Sequence, residues 1–120
     1  MALFRCASGG GGGTYKVVVG TATINTSANT SVTVDGITSI KSITTRLTNG
    51  QYKTFNAWCA DSYDSTKVLS VTQYNSTTTY GTTGQSGAPV PSTVSGNQFQ
   101  LQKQANTQYG SSVEYIVVGQ

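Results

Sequence analysis

The sequence predicts an all-β protein with the architecture of an antiparallel β-sandwich or jelly roll. Runs in which apolar and polar residues alternate recur between turn-forming residues, and about seven or eight such runs fit a sandwich. Charged residues make up 9% of the 120 residues and hydrophobic residues 36%, and most of the rest are Thr, Ser, Gly, Asn and Gln. This composition differs from that of disordered chains, which carry a high charge.

The longest run rich in β-branched residues is 31–47, and we take it as the centre of the fold. Val32 and Val34 share one face of an extended chain, which is the period-two pattern of a strand. Asp35 and Gly36 predict a two-residue hairpin turn, because glycine tolerates positive φ. The isoleucines that follow are spaced as in a helix. The abundance of Thr and Ile nevertheless favours a strand that changes face through a β-bulge near Lys41 and Ser42.

Alternation predicts the remaining strands over 15–24, 51–60, 67–74, 97–104 and 112–119. Within 51–60, one face carries Phe55, Ala57 and Cys59, and the opposite face carries Tyr52 and Trp58. The face with Phe55 is predicted to be the core face, since it has few polar groups.

Further expectations concern the other segments. Phe99 and Leu101 are predicted to point into the core, and the nearly continuous apolar run in 112–119 predicts a strand covered on both faces. Gly20 predicts a bulge or bend in the first strand. The segment 75–96 is rich in Thr, Gly and Ser and predicts a long projecting loop or an arm along a neighbour.

The chain divides into an N-terminal arm, 1–13, and a β-sandwich domain, 14–120. The arm is an apolar tip followed by five glycines, and a glycine run of this length is a flexible coil that reaches about 12 Å. An apolar tip on a tether predicts an assembly anchor that docks into a neighbouring subunit, and the alternative is a frayed end. The predicted anchor residues are Ala2, Leu3, Phe4, Arg5 and Cys6.

The composition excludes most catalytic chemistry. The chain has no histidine, which removes the Ser-His and Cys-His nucleophile pairs and the commonest metal ligand. Asp61 and Asp64 are the only carboxylates close in sequence and are expected to cap backbone amides, with a weak surface calcium site as the alternative. We therefore predict a non-enzymatic protein with no catalytic residue, no cofactor and no metal site.

The sequence predicts neither nucleic-acid binding nor insertion into a membrane. The net charge of +3 comes from scattered basic residues, whereas a nucleic-acid binder shows a basic stripe. No apolar run approaches the roughly 18 residues of a membrane-spanning helix. Residues 1–5 are too short for the apolar region of a secretory signal, so we expect synthesis in the cytoplasm.

Three side chains leave alternatives open. Cys6 and Cys59 are interpreted as free thiols, Cys59 being buried in a strand, because two cysteines make no disulfide framework. A bridge between subunits is the alternative. Glu114 is expected at an edge or interface, and the alternative is a buried carboxylate beside a lysine, as in isopeptide cross-links.

Aromatic residues suggest a surface that contacts sugars, since aromatic rings stack on sugar rings. The same residues also serve as packing or interface residues in all-β chains, and that role is favoured. The candidate contacts are Tyr52, Trp58, Tyr63 and Tyr80, with Tyr74 as a further candidate.

Three features resemble small bacteriophage virion proteins such as head fibres, decoration proteins and tail-fibre tips. They are the short start that runs into polyglycine at 1–13, the valine alternation followed by Ile and Lys over 32–43, and the apolar ending over 115–119. The resemblance implies a β-sandwich, often trimeric, that an N-terminal segment attaches to the particle. It carries over no catalytic or binding residue, and the short tether favours a decoration, collar or tip protein over a long fibre.

The expected function is therefore that of a virion structural protein that stabilises the particle or aids attachment to the host surface. Its expected partners are copies of itself, as a trimer, other virion proteins and a host-surface glycan. The alternatives are an extracellular filament subunit whose N-terminal arm enters the next subunit and a lectin-like carbohydrate-binding module.

Overall fold

The computed structural model describes residues 14–61, 66–82, 88–104 and 107–120. Those ranges contain nine strands, one short 3-10 helix at Thr107–Tyr109 and no α-helix. The all-β prediction is confirmed, with more strands than expected. The strands are β1 (Lys16–Thr23), β2 (Thr30–Thr33), β3 (Ile40–Leu47), β4 (Lys53–Cys59), β5 (Leu69–Tyr74), β6 (Thr77–Gly81), β7 (Pro91–Ser95), β8 (Gln98–Leu101) and β9 (Ser112–Gly119).

The strands form two sheets that pack as a sandwich. The large sheet has six strands in the order β1-β9-β3-β4-β5-β6, and the small sheet has three in the order β2-β8-β7. All the paired strands are antiparallel. Strand β2 lies near β1, and β7 lies near β3 and β4. We call the face of the large sheet turned towards the small sheet the inner face, and the opposite one the outer face.

The central stretch behaves partly as predicted. Val32 and Val34 are buried, and Gly36 has φ +84° in the turn that follows β2. The predicted hairpin is wrong, because β2 and β3 belong to different sheets and the turn carries the chain from one sheet to the other. The β-bulge is confirmed, because the register between β3 and β9 shifts between Ile40 and Ser42.

The core lies between the sheets and draws on almost every strand. Phe99 and Leu101 are fully buried, as predicted, and face Ile43, Leu47 and other inward side chains of the large sheet. The buried hydrophobic residues are Ile24, Val32, Val34, Ile37, Ile40, Ile43, Leu47, Val68, Ala88, Val90, Phe99, Leu101, Tyr109, Val113 and Val117.

Part of the inner face is polar. Asn56 on β4 is fully buried, donates a hydrogen bond to Thr45 Oγ1 at 3.1 Å and accepts one from Ser70 Oγ at 2.7 Å. Buried Thr54 and Thr72 lie opposite each other on β4 and β5, with their hydroxyl oxygens 3.5 Å apart. Buried polar groups are tolerated where they find partners, so this set can replace apolar packing across β3, β4 and β5.

The polar set overturns the predicted core face of β4. Asn56 faces inward and Trp58 packs partly buried against the core, so Phe55, Ala57 and Cys59 lie on the outer face. Phe55 is 46% exposed, and Cys59 is an exposed free thiol instead of a buried one. Hydrogen bonds to neighbouring strands satisfy the inward amide, which the alternation within one strand could not indicate.

Three other expectations need correction. The segment 75–96 is not one long loop, because it contains all of β6 and all of β7. Pro91 begins an edge strand, where a missing N–H is tolerated. Gly20 makes no bulge, since β1 pairs with β9 in continuous register. A Cβ at Gly20 would instead overlap the ring of Tyr115. Strand β9 is central but covered on one face only, since Ile116 is exposed.

Candidate functional site

The outer face of the large sheet is apolar although nothing in the described ranges covers it. Val19 is 70% exposed and Leu69 is 58% exposed. Large hydrophobic residues at the surface are ordinary when they are scattered, but here they share one face. We call this set the outer apolar face. Its members are Val17, Val19, Phe55, Leu69, Tyr80 and Ile116.

Strand register brings these side chains together. Val19 pairs with Ile116 across β1 and β9, and Phe55 lies opposite Val71, which lies opposite Tyr80 on β6. Residues directly opposite on one face of a sheet have Cβ atoms about 4.5–5.5 Å apart. The register thus gives apolar rows on the two sides of the sheet, on β1 and β9 and on β4, β5 and β6. The strand between them, β3, has only Ser42, Thr44 and Arg46 on this face.

One ion pair interrupts these rows near their middle. Arg46 on β3 lies opposite Glu114 on β9, and its Nε donates a hydrogen bond of 2.8 Å to Glu114 Oε2, which also accepts from Nη2. Both side chains are exposed, by 63% and 49%. Glu114 therefore lies on an exposed face beside an arginine, and the alternative of a buried carboxylate beside a lysine is wrong.

A depression of about 440 Å³ lies on the outer face between β3, β4 and β5. Its walls are mainly apolar, and Lys67 supplies the one charged side chain among them. We call it the outer pocket. Its lining residues are Ser42, Thr44, Ala57, Trp58, Cys59, Lys67, Leu69 and Thr82.

Three tyrosines stack at the opposite end of β4. The Tyr52 ring lies between Tyr74 and Tyr109, with its centroid 4.9 Å from that of each. Burial raises the pKa of Tyr109, and the neighbouring Tyr52 raises it further. Tyr52, a predicted sugar contact, is thus engaged in packing, with Tyr74 on the more exposed side of the stack.

The structure does not gather the other predicted sugar contacts beside Tyr52. Trp58 packs against the core, whereas Tyr80 is 74% exposed on the outer face. Tyr63 lies outside the described residues, as do the predicted anchor residues 2–6. Of the described candidates, only Tyr52 and Tyr74 lie together, and Trp58 and Tyr80 lie in other surroundings.

In the ranges that the structure describes, no three Cys, Asp or Glu side chains lie together as metal ligands would. No helix within those ranges is long and apolar enough to span a membrane.

No protein-family model, no curated protein and no solved structure matches the chain. The candidate site therefore depends on geometry alone. Sequence reasoning missed most of this site. The sequence did contain a signal for this face that was not used. In both β4 and β5, apolar residues alternate with Thr, Ser or Asn, and in the structure the apolar residues are on the outer face and the polar ones are buried.

Proposed function

We propose that the chain is a non-enzymatic structural subunit of a virus particle, as a decoration, head-fibre, collar or tail-tip protein. The observation that carries the proposal is the outer apolar face, which includes Val19, Leu69 and Tyr80. Monomeric proteins rarely expose apolar patches larger than a few hundred Å², and exposed patches rimmed by polar residues mark interaction sites. Assembly would cover the apolar groups of this face, which no described part of the chain covers.

The partner that suits this face is a second copy of the chain. Six strands, at a spacing of about 4.8 Å and a length of about 20 Å, give the face a projected area of roughly 500 Å². A standard interface buries about 800 Å² per partner, so the face supplies much of one. Its central charges are one arginine and one glutamate, already paired, so the face suits a neutral, apolar copy of itself better than a charged partner.

The link to a virus particle comes from the sequence. The resemblance to small virion proteins implies an N-terminal segment that holds the sandwich on the particle and a closed trimer of sandwiches. The anchor residues would be Ala2, Leu3, Phe4, Arg5 and Cys6. The role would be to stabilise the particle or to aid attachment to a host-surface glycan.

Solution mass tests the assembly step. We expect light scattering after size exclusion to give a closed multiple of the 12.5 kDa chain. The multiple is two if the outer apolar face packs on the same face of a second copy, and three if it packs on a different surface of a neighbour, as in the trimer that the resemblance implies. Val19→Lys and Leu69→Lys should shift the mass to that of a monomer, because a buried lysine without a partner opposes association. Ser31→Lys is the matched control, since Ser31 is an exposed polar residue of β2 in the small sheet, away from the outer face.

A wild-type chain that stays monomeric at every concentration would overturn the proposal, and so would lysine variants that assemble normally. Growth without an end point would support the filament alternative. Sugar binding that survives deletion of residues 1–13 would support the lectin-like alternative.

Deletion of residues 1–8 tests the attachment step. The truncated chain should fold, since the strands begin at Lys16, but it should not enter particles or subunit assemblies. Circular dichroism checks the fold, and co-purification with particles checks incorporation. Normal incorporation of the truncated chain would show that the anchor assignment is wrong.

A further inference from the structure

The outer pocket and the N-terminal segment have complementary properties. The pocket is a mainly apolar depression with Cys59 and Leu69 in its walls. The segment carries Leu3, Phe4 and Cys6 ahead of five glycines. We propose that the outer pocket binds the chain's own N-terminal segment, with Leu3 and Phe4 in the depression and Cys6 close to Cys59.

Strand register fixes the distance that the segment must cover. Val17 pairs with Val118, Val118 pairs with Ser42, and Ser42 pairs with Cys59. These residues form one row across β1, β9, β3 and β4, and Val17 follows the first residue of β1. Three strand spacings separate the ends of the row, which is about 14 Å.

The chain between the segment and β1 has the length that this distance requires. Lys16 lies ten residues after Cys6, and five of the nine residues between them are glycines. A glycine-rich chain of that length has a root-mean-square end-to-end distance of about 16–19 Å and a maximum reach of about 33–36 Å. The average reach therefore slightly exceeds the span to Cys59, with no need for full extension.

This match favours the chain's own segment over that of a neighbour. When the average length of a linker matches the span between two sites, the effective concentration is greatest and reaches the order of millimolar. A neighbour's segment competes only at the bulk protein concentration, which is micromolar in a dilute solution. In the isolated chain, the pocket is therefore filled from within.

The charges near the pocket allow this occupant. Lys67 belongs to its wall, and exposed Asp61 lies two residues beyond Cys59. Arg5 of the segment is repelled by Lys67 and attracted by Asp61, so the apolar contacts of Leu3 and Phe4 decide binding. The inference goes beyond the proposed function, because it concerns the isolated chain and implies that the anchor is covered before assembly.

Disulfide trapping of the full-length chain tests the inference. At low micromolar protein, oxidised glutathione accepts two electrons and two protons from the thiols of Cys6 and Cys59, and two molecules of reduced glutathione leave as the protein disulfide forms. We expect an intramolecular Cys6–Cys59 disulfide whose rate of formation does not depend on protein concentration. Intact mass, peptide mapping and non-reducing electrophoresis identify it.

The controls separate docking from mere tethering. The variant with both Leu3→Ser and Phe4→Ser keeps the glycines and both cysteines, and it should form the disulfide at least ten-fold more slowly. Leu69→Ser, in the pocket wall, should slow it similarly. Thr33→Ala should not, since Thr33 is exposed on β2 of the small sheet, outside both the pocket and the outer apolar face. Equal rates in the wild type and the Leu3/Phe4 variant would overturn the inference.

Thiol accessibility gives a readout without oxidation. Cys59 is exposed and lines the outer pocket, so peptide mapping after a brief pulse of maleimide should show slower labelling of Cys59 in the wild type than in the Leu3/Phe4 variant. Equal labelling of Cys59 in the two proteins would contradict docking in the pocket. Disulfide-linked dimers in place of the intramolecular product would mean that a neighbour's segment is the occupant. Neither result depends on the solution mass, so failure of this inference is distinguishable from failure of the proposed function.

Discussion

Asn56 shows how a single polar residue determines which face of a strand is buried. Its amide is 0% exposed and connects Thr45 on one neighbouring strand to Ser70 on the other. A buried amide with both groups satisfied adds to stability, whereas a buried group that loses its partner costs its full desolvation free energy. The interior of β3, β4 and β5 thus depends on one side chain that links three strands.

We expect Asn56→Ala to lower the free energy of unfolding by about 2–3 kcal/mol, because it leaves two buried hydroxyl groups without their partner and opens a small cavity. Urea denaturation followed by circular dichroism measures the change. Gln73→Ala is the control, since Gln73 is an exposed residue of neighbouring β5 and should change stability by less than about 0.5 kcal/mol. Equal effects of the two substitutions would contradict the role of Asn56.

Tyr109 predicts a loss of stability at alkaline pH. Burial, and then the neighbouring Tyr52, raise the pKa of Tyr109 above its ordinary value, which is about 10. The folded chain therefore holds this proton more tightly than the unfolded chain. The resulting stability is fully present below pH about 10 and is lost as the pH rises through the folded pKa.

Tyr109→Phe should make the unfolding free energy depend less steeply on pH above about 10. Tyr80→Phe is the matched control, because Tyr80 is exposed on the outer face. Urea titrations at a series of alkaline pH values measure both slopes. Identical slopes for the wild type and Tyr109→Phe would show that Tyr109 does not couple protonation to folding.

At the scale of single elements, patterns within a strand predicted where strands lie better than which way they face. The alternation around Phe99 and Leu101 placed β8 and its core residues correctly, and the β-branched run predicted the bulge near Ser42. In β4 the same reasoning wrongly predicted that Phe55, and not Asn56, faces the core. The partners of Asn56 lie on β3 and β5, and no local pattern reveals such distant hydrogen bonds.

Connections between elements were the other source of error. Asp35 and Gly36 form a turn, but the sequence around them does not state that β3 pairs with β9, the last strand of the chain. The Thr-rich run that forms β6 has Tyr80 as its one large apolar residue and no alternation that marks a strand, because Thr77–Gly81 is an exposed edge strand. The outer pocket involves three strands, so its position could not be predicted before the strand order was known.

The orientation of β4 gives a test at this scale. Because Phe55 is half-exposed on the outer face, Phe55→Thr should lower the unfolding free energy by less than about 1 kcal/mol in dilute monomer. Ile43→Thr is the matched comparison, since Ile43 is fully buried on β3 and should cost about 2–4 kcal/mol. A larger cost at Phe55 than at Ile43 would mean that the sequence-based choice of core face was right.

At the scale of the whole molecule, the two sheets are unequal in a way that bears on function. The small sheet has three strands and covers one face of a six-stranded sheet, whose other face has no cover in the described ranges. When two sheets pack as a sandwich, only the faces turned towards each other are buried. The outer apolar face is therefore a property of the architecture as a whole, and the proposed assembly would bury it.

Arg46 and Glu114 allow that interface to be separated from folding. In the monomer both are exposed, and an exposed ion pair is worth about 0.2–1 kcal/mol, so Arg46→Glu or Glu114→Arg should barely change stability. In an assembly that buries the outer face, either change leaves like charges together without water, at a cost of about 3–5 kcal/mol. Each single variant should therefore be monomeric by light scattering.

The double variant, Arg46→Glu with Glu114→Arg, restores one charge of each sign at neighbouring positions of β3 and β9. It should regain the mass of the wild-type assembly, because the interface again buries a paired and neutral centre. Urea denaturation of all three variants shows whether folding is unchanged. If the single variants assemble as the wild type does, these charges lie outside the contact, and the interface must be sought away from the centre of the outer face.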